Sequence, residues 1–460
     1  MDRTSVTRKA RDMAVRVARV TTALAIAQAI GPACGLAQTA DAHDGGVDAV
    51  ALIVEIADPA SGRARVRVEI PTTVSADRSV LTFTFPDLRR GHASLDSIRA
   101  SGSLTREGDT FELKAGSEPL TLDYIIDPTF YPPGQPERVS DARSRITAEM
   151  AVVRTTSLFP RFRRLDAPAT VVFRLPEDWK VVAPWPERDG SVYEAGAGWG
   201  STVEYVGLGP FAVETLRESG STFRVGTSPG GDELDPAEVI AIVRTELEIL
   251  GAGPSGGGDL WSAVVVPRSF MRGGAAGRSS VVQPPDPGVL AHEIFHWWSN
   301  GATIAEDAVW FREGFTEYYG VKSARAAAAW TEAEADACLA DLNAEMRFLE
   351  RDGAMSLVDA ARAYRSDSRA RRLVYAKGAL LALHLDRSLT QRGRSLDLVM
   401  SRALVPGDRQ FGTRDLITLF DRLFHELTGV LETYLLQAKP LPDLHLSDAT
   451  GLSGCARYLP

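Results

Sequence analysis

In the N-terminal half of the chain, apolar and polar residues alternate in short runs that turn residues separate. Alternation with a period of two is typical of strands that bury one face. Four runs show this most clearly, at residues 49–56, 64–70, 80–85 and 170–175. We therefore predict an N-terminal β-sandwich-like domain over residues 47–215.

The pattern changes beyond this domain. Apolar residues at helical spacing predict a helix over 236–250, and a continuous apolar run predicts a strand over 260–267. The stretch 271–280 is too rich in glycine for the interior of a strand, and residues 280–282 predict a short edge strand. Residues 216–283 are therefore expected to form the mixed β part of a second domain.

Helical periodicity dominates residues 284–460. A first helix is expected after Asp286, which can cap it, with Pro287 in the first turn, where a missing amide hydrogen costs little. Later helices are predicted over residues 309–350, 357–364, 372–391, 396–404, 413–423 and 430–437. The expected fold class is α+β, with a β domain followed by a small mixed sheet and a mostly helical half.

Residues 292–296 read His-Glu-Ile-Phe-His, which matches the H-E-x-x-H pattern. On a helix, side chains four positions apart lie on one face, so His292 and His296 can bind one metal ion together. Imidazole at this spacing suits Zn²⁺, and Glu293 on the same turn is placed to take a proton from a zinc-activated water. The pattern predicts one zinc ion per chain.

A catalytic zinc needs a third protein ligand and an open fourth position. Glu313 follows His296 at a distance that allows one helix to end and another to return beside it, and it lies among aromatic residues. Glu317, one turn later on the same face, is expected to accept a hydrogen bond from a ligand histidine, His292. The alternative for Glu317 is a solvated helix charge.

The first 37 residues place basic side chains ahead of an apolar run that small residues follow. This order is typical of a cleavable secretory signal, so we expect a signal peptide over 1–37 and a flexible leader over 38–46. The apolar run is short for a membrane span, and none is expected after cleavage; an uncleaved anchor is the alternative. The predicted location is periplasmic or secreted.

Composition and charge narrow the classes of molecule that the protein is expected to bind. The chain has 460 residues and a formal net charge of −9, which makes it a poor partner for nucleic acid or an anionic membrane surface. Cys338 and Cys455 would remain after signal cleavage, and the sequence leaves open whether they pair.

Residues 310–319, Trp-Phe-Arg-Glu-Gly-Phe-Thr-Glu-Tyr-Tyr, resemble the third-ligand motif of the gluzincin metallopeptidases. Residues 374–380 resemble the catalytic-tyrosine motif of that group, and residues 395–400 are similar to the sequence that follows it in the glycyl aminopeptidase family. The resemblance is closest to that family, without its PDZ domain, and extends to the related alanyl aminopeptidases. It implies a thermolysin-like catalytic domain.

The resemblance also implies roles for residues outside the zinc pattern. Tyr375 would donate a hydrogen bond to the substrate oxygen that gains negative charge. Residues 273–280 align with a family motif whose glutamate binds a free amino end, but this chain has Ala276 at that position. The backbone of Gly273 and Gly274 is expected to bind an extended peptide. Exo- and endopeptidase action both stay open.

Together these features predict a secreted zinc-dependent metallopeptidase. It would hydrolyse peptide or protein substrates through a zinc-activated water, with Glu293 as the general base. Two alternatives remain: a catalytically weak or inactive zinc-containing homologue that acts as a binding protein, and an alanyl-type aminopeptidase.

Overall fold

The structure is a computed structural model. It describes residues 49–75, 79–114, 119–129, 144–229, 235–251, 253–254, 260–267, 269–271, 274–282, 287–300, 302–351, 353–404 and 407–446. The predicted signal peptide and leader, and also Gly273, Asp286 and Cys455, lie outside these residues. Within the described residues, no helix is both long and apolar enough to cross a membrane.

The largest sheet of the N-terminal half has six strands, most of which alternate buried and more exposed residues. Its order is β13-β11-β1-β2-β7-β4, with the bounds Val192–Ala195, Ala169–Arg174, Val50–Glu55, Ala64–Ile70, Leu120–Asp127 and Ser94–Ala100. Strands β1 and β11 run parallel, and the other neighbours are antiparallel. The buried face of this sheet forms one side of the domain core.

Two four-stranded sheets complete the β domain. One has the order β10-β3-β6-β5, with the bounds Arg161–Phe162, Val80–Thr84, Thr110–Lys114 and Leu104–Glu107. The other has the order β12-β14-β9-β8, with the bounds Lys180–Val182, Tyr205–Gly209, Ala151–Arg154 and Arg145–Ile146. Single-turn helices occur at Pro59–Ser61, Thr72–Ser75, Pro86–Arg89 and Thr155–Leu158.

The three sheets share a core in which aromatic rings fill the space between layers. Phe83 of β3 stacks on Phe111 of β6 with ring centroids 5.2 Å apart, and both contact Phe85. The four runs predicted from alternation coincide with β1, β2, β3 and β11. An N-terminal β-sheet domain is therefore confirmed.

A five-stranded mixed sheet follows. Its order is β15-β16-β17-β19-β18, with the bounds Ala212–Glu218, Ser221–Thr227, Leu260–Val265, Ser279–Val282 and Gly274–Ala276. Its first strand begins a few residues before the predicted domain boundary at 215. The predicted helix over 236–250 is present and is called α1, Pro236–Leu250.

Two predictions for this sheet are wrong. Residues 280–282 do not form an edge, because β19 lies between β17 and β18. The glycine-rich stretch contains a strand, β18, and this strand is the edge. The two strands form a tight antiparallel hairpin that turns at Gly277, whose φ of +57° glycine adopts easily. Small residues are tolerated in β18 because an edge strand has a partner on one side only.

The C-terminal half is mostly helical. After α1, the helices are α2 to α9, with the bounds Pro287–Asn300, Thr316–Ala326, Glu332–Glu350, Leu357–Ala363, Ser368–Thr390, Asp397–Ala403, Thr413–Phe424 and Thr428–Leu436. Short 3₁₀ turns lie at Glu306–Ala308 and His425–Leu427. A small parallel sheet joins β20, Ala302–Ile304, to β21, Gly407–Phe411.

The single helix predicted over 309–350 is wrong, because the segment is divided into three. A π-helical stretch, Trp310–Phe315, leads into α3, and α4 begins separately. Thr331 and Glu334 form a capping box at the start of α4, which stabilises a new helix at that point. The observed fold class is α+β, as predicted.

Candidate metal centre and active site

Helix α2 carries the H-E-x-x-H residues and is fixed on both sides. Its apolar face points into the helical core, where Trp297 stacks on Phe223 of β16 with centroids 5.7 Å apart. Its other side packs closely on α3 at Gly320. A methyl group at Gly320 would lie 2.9 Å from the Gly288 carbonyl oxygen and 3.1 Å from the His292 amide nitrogen. This close crossing brings the start of α3 to the metal-binding face of α2.

The two histidines and Glu313 converge. Nε2 of His292 lies 3.0 Å from Nε2 of His296, and Oε2 of Glu313 lies 3.9 Å and 3.5 Å from these two nitrogens. All three side chains are buried. The structure therefore brings the three predicted ligands together across about twenty residues of chain.

Polar groups on the far side of each ring orient the two imidazoles. Nδ1 of His292 lies 2.8 Å from a Glu317 oxygen, which can only accept. Nδ1 of His296 lies 2.9 Å from Oγ of Ser299, and this hydroxyl donates to the His296 carbonyl oxygen. Both Nδ1 atoms therefore face groups outside the cluster, and both Nε2 atoms face inward as the nitrogens that would bind a metal.

Glu313 accepts hydrogen bonds from two side chains. Its Oε1 accepts from Nε of Arg312 at 2.8 Å, and its Oε2 accepts from the Tyr375 hydroxyl at 2.8 Å. Burial alone would raise the pKa of Glu313, but the hydrogen bond and charge of His296, with the charges of Arg312 and His292, hold it well below its usual range. Glu313 is therefore an ionised ligand candidate with Oε2 directed at the histidines.

The pKa values of Glu293 and His292 are both raised, for different reasons. Burial raises the pKa of Glu293 above that of an ordinary glutamate, and the neighbouring histidine charges offset only part of the rise. Burial would lower the pKa of His292, but the hydrogen bond and charge of Glu317 outweigh it and raise that pKa to about 9. Glu293 thus favours holding a proton more than a solvated carboxylate does.

Tyr375 lies on α6 and reaches the cluster together with a second tyrosine. Its hydroxyl is 3.1 Å from that of Tyr364, and its ring stacks on His292 with centroids 5.8 Å apart. Burial raises the pKa of Tyr375 well above the usual value, with Glu313 adding to the rise. The phenol therefore stays protonated and able to donate.

The cluster fits a zinc ion. Tetrahedral zinc with nitrogen and oxygen ligands at about 2.0–2.2 Å keeps its ligand atoms roughly 3.2–3.6 Å apart. The three observed separations span this range, from 3.0 to 3.9 Å. Two imidazole nitrogens and an ionised carboxylate oxygen are ligand atoms that suit zinc, and a bound cation would take the place of the protons shared among them. His292, His296 and Glu313 are the residues that would hold it.

The β18–β19 hairpin lies beside α2. Oγ of Ser280 donates to the Glu293 carbonyl oxygen at 2.9 Å, and Nε of Arg278 donates to the buried carboxylate of Glu204 at 3.1 Å. Gly274 and Ala276 lie in the edge strand β18 and are partly exposed. Gly273, the other predicted backbone contact, lies outside the described residues.

Sequence reasoning missed three residues of this site, namely Ser299, Arg312 and Tyr364. Ser299 and Arg312 are adjacent to the ligand motifs, so their positions were a usable signal. Tyr364 lies on a separate turn, eleven residues before Tyr375, and only the tertiary fold brings their hydroxyls together.

Three solved structures with a similar fold differ widely from this chain in sequence. An aminopeptidase N family protein from Idiomarina loihiensis matches with a TM-score of 0.69 at 17% identity, over 86% of this chain and 77% of that one. An M1 zinc metallopeptidase from Deinococcus radiodurans matches with a TM-score of 0.56 at 16% identity, over 87% and 96%. A mutant of the Deinococcus enzyme bound to a Tyr-Ser-Ala substrate matches at 16% identity, with a TM-score of 0.54, over 88% and 96%.

No protein-family model and no curated protein sequence matches the chain. The closer relation to the glycyl aminopeptidase family stays a prediction. At these identities, the structural matches show the fold alone. The chain has the two-domain, M1-like zinc aminopeptidase fold, and its buried cluster of His292, His296 and Glu313 is consistent with a zinc site.

Proposed function

We propose that the protein is a secreted, zinc-dependent metallopeptidase that hydrolyses peptide bonds. The observation that carries the proposal is the buried cluster of His292, His296 and Glu313 with the carboxylate of Glu293 on the same helix turn. A zinc ion bound there would polarise a carbonyl group and acidify a water molecule. Proton transfer and the hydrogen bond to the substrate oxygen are assigned to side chains of the protein.

Glu293 is the proposed general base. It would take a proton from the attacking water and later deliver it to the nitrogen of the leaving amine. Efficient transfer needs a group whose pKa lies closer to the working pH than that of a solvated carboxylate. The burial that raises the pKa of Glu293 supports this role.

Tyr375 is the proposed donor to the substrate oxygen. A phenol can stabilise negative charge on that oxygen without bringing a charge of its own into the site. Its hydroxyl is already 2.8 Å from Glu313, so it lies within reach of a substrate at this cluster. Rotation of the phenol from Glu313 to the substrate would exchange one acceptor for another.

A peptide substrate is supported by two observations. The mutant M1 enzyme from Deinococcus radiodurans is bound to a Tyr-Ser-Ala substrate. The edge strand β18 exposes main-chain groups beside α2, and an extended peptide can pair with such an edge. Among the described residues of this hairpin, none is acidic, which favours a peptidase without a strict need for a free amino end over an alanyl-type aminopeptidase.

Export is supported by the basic and apolar N-terminal segment and by Cys338, which is disulfide-bonded. Structural disulfides persist in the periplasm and outside cells, where the medium is oxidising. We therefore propose a periplasmic or secreted location, and its test is fractionation of expressing cells.

The test of the function compares the wild-type protein with Glu293→Gln on a peptide library read by mass spectrometry. We expect the wild-type protein to cleave peptides. The cleavage rate of the variant should be lower by about 100-fold or more, because general base catalysis contributes a rate factor of that size. Zinc content should be unchanged, since Glu293 is not a ligand. Glu432→Gln, an exposed change on α9, is the matched control. Zinc binding without turnover by the wild-type protein would instead favour an inactive binding homologue.

A further inference from the structure

Two arginines border the tyrosine pair, and both have unused hydrogen-bond donors. Nε of Arg312 donates a hydrogen bond to Glu313. The two Nη groups of Arg312 have no partner among the described residues. Its side chain is 35% exposed, so those donors reach the surface beside the metal-binding cluster. When the Nε atom of a guanidinium group is held by a hydrogen bond, its two Nη groups point in a fixed direction.

Arg371 contacts Tyr364, the second tyrosine of the pair. It lies one turn before Tyr375 on α6, so the two side chains share a helix face. Its Nε donates to the Tyr364 carbonyl oxygen at 3.2 Å, and its guanidinium carbon is 5.7 Å from the centre of the Tyr364 ring. Its Nη groups also have no partner within the described part of the chain.

Among the described residues, carboxylates leave the Nη groups of both arginines unpaired. Asp367, the acidic residue nearest to Arg371 along the chain, accepts from the amides of Arg369 and Ala370 as the cap of α6. Glu313 pairs with Arg312 through Oε1 only. Two partly buried guanidinium groups with free donors, next to a site that handles peptides, form a binding place for an anion.

Resting on the proposed function, we propose that Arg312 and Arg371 form a subsite for a carboxylate of the peptide substrate. Arginine donors suit a carboxylate because the planar fork matches its two oxygens. The carboxylate could be the carboxyl end of the peptide or the side chain of an aspartate or glutamate near the cleaved bond. Both sources share this chemistry. The described residues of the β18–β19 hairpin offer no carboxylate to an ammonium group.

The test measures kcat/KM for amino-acetylated peptides of one sequence in matched forms. One pair differs in a free or amidated carboxyl end, and the other pairs exchange glutamate for glutamine at each position around the cleaved bond. The wild-type enzyme should favour at least one carboxylate form by about tenfold or more, because hydrogen bonds to charged groups contribute that much. Whichever pair shows the preference identifies the source of the carboxylate.

Arg371→Gln should remove this preference by lowering the rate on the carboxylate peptide far more than the rate on the neutral peptide. A purely structural role would lower both rates together and leave their ratio unchanged. Arg312→Gln should also reduce the ratio, although its loss of contact with Glu313 lowers both rates. Arg188→Gln, an exposed arginine of the β domain paired with Glu194, should change neither.

Equal rates on every matched pair, with no effect of Arg371→Gln on the ratio, would overturn the subsite and leave the peptidase assignment intact. Should the wild-type protein cleave neither these peptides nor the same sequences with a free amino end, the proposed function fails on its own. The subsite is then tested by calorimetry with Glu293→Gln and the same peptides. Tighter binding of the carboxylate form that Arg371→Gln removes would support it, and equal binding of both forms would overturn it.

Discussion

Gly314 and Gly378 lie in direct contact where the π-helical stretch crosses α6. A methyl group at Gly314 would be 2.6 Å from the Cα atom of Gly378 and 2.6 Å from the Val374 carbonyl oxygen. Glu313 directly precedes one glycine, and Tyr375 lies three residues before the other. The crossing therefore sets the distance between the ligand carboxylate and the phenol that donates to it.

Gly314→Ala should damage both the fold and the site. The added methyl group meets backbone atoms that cannot rotate away, and overpacking of this kind costs about 1–3 kcal/mol. We expect a lower midpoint of thermal unfolding and weaker zinc binding. Gly429→Ala is the matched control, because a methyl group there meets nothing within 4 Å and should stabilise α9 slightly. Equal behaviour of the two variants would contradict this account of the crossing.

Glu317→Gln should weaken metal binding without removing a ligand. Glu317 lies 2.8 Å from Nδ1 of His292 and keeps the proton on that nitrogen, so that Nε2 faces the metal site. Replacement of such a partner typically lowers metal affinity about 10- to 100-fold, which a competition titration with a chelator measures. Ser299→Ala tests the equivalent contact at His296. Unchanged affinity in both variants would show that these contacts do not orient the rings.

Glu246 gives the fold a pH dependence that is separate from the metal site. It is fully buried in α1, burial raises its pKa well above the ordinary value, and the Ser323 hydroxyl offsets only part of the rise. The folded state therefore holds this proton more tightly than the unfolded state. Its contribution to stability is complete below the pKa of an unfolded glutamate, about 4.5, and is lost as the pH rises through the folded pKa.

Glu246→Gln should remove this loss of stability at higher pH. As the pH rises above about 4.5, the free energy of unfolding of the wild type should fall relative to the variant by up to about 1.4 kcal/mol per pH unit. Urea denaturation at several pH values measures this difference. Glu248→Gln, an exposed change on the same helix, should follow the wild type. Parallel curves for Glu246→Gln and the wild type would mean that the Glu246 carboxylate does not titrate differently on folding.

The elements that the sequence predicts well are those whose pattern is local. Strand β2 and helix α1 match their predicted bounds because alternation and helical spacing are properties of short windows. The ligand pair of α2 follows from the spacing of four within one helix. The prediction that Glu313 joins these histidines depended on the tertiary fold, and the sequence motif around Glu313 supported it.

The errors arise where the environment overrides the local pattern. Residues 274–276 form a strand despite their glycine and alanines, because β19 supplies a partner that the window does not contain. The π-helical stretch over 310–315 is not visible in periodicity, since its aromatic residues are spaced as in an ordinary helix. Tyr364 was missed as a site residue because its place depends on how α5 leads into α6.

The central claim is that His292, His296 and Glu313 bind one zinc ion. Metal analysis of the purified protein tests it most directly, with Glu313→Gln as the comparison. We predict about one zinc per wild-type chain, and a large loss in the variant after mild treatment with a chelator. A wild-type protein that takes up no zinc when it is supplied, or a Glu313→Gln protein that retains it as tightly, would contradict the account.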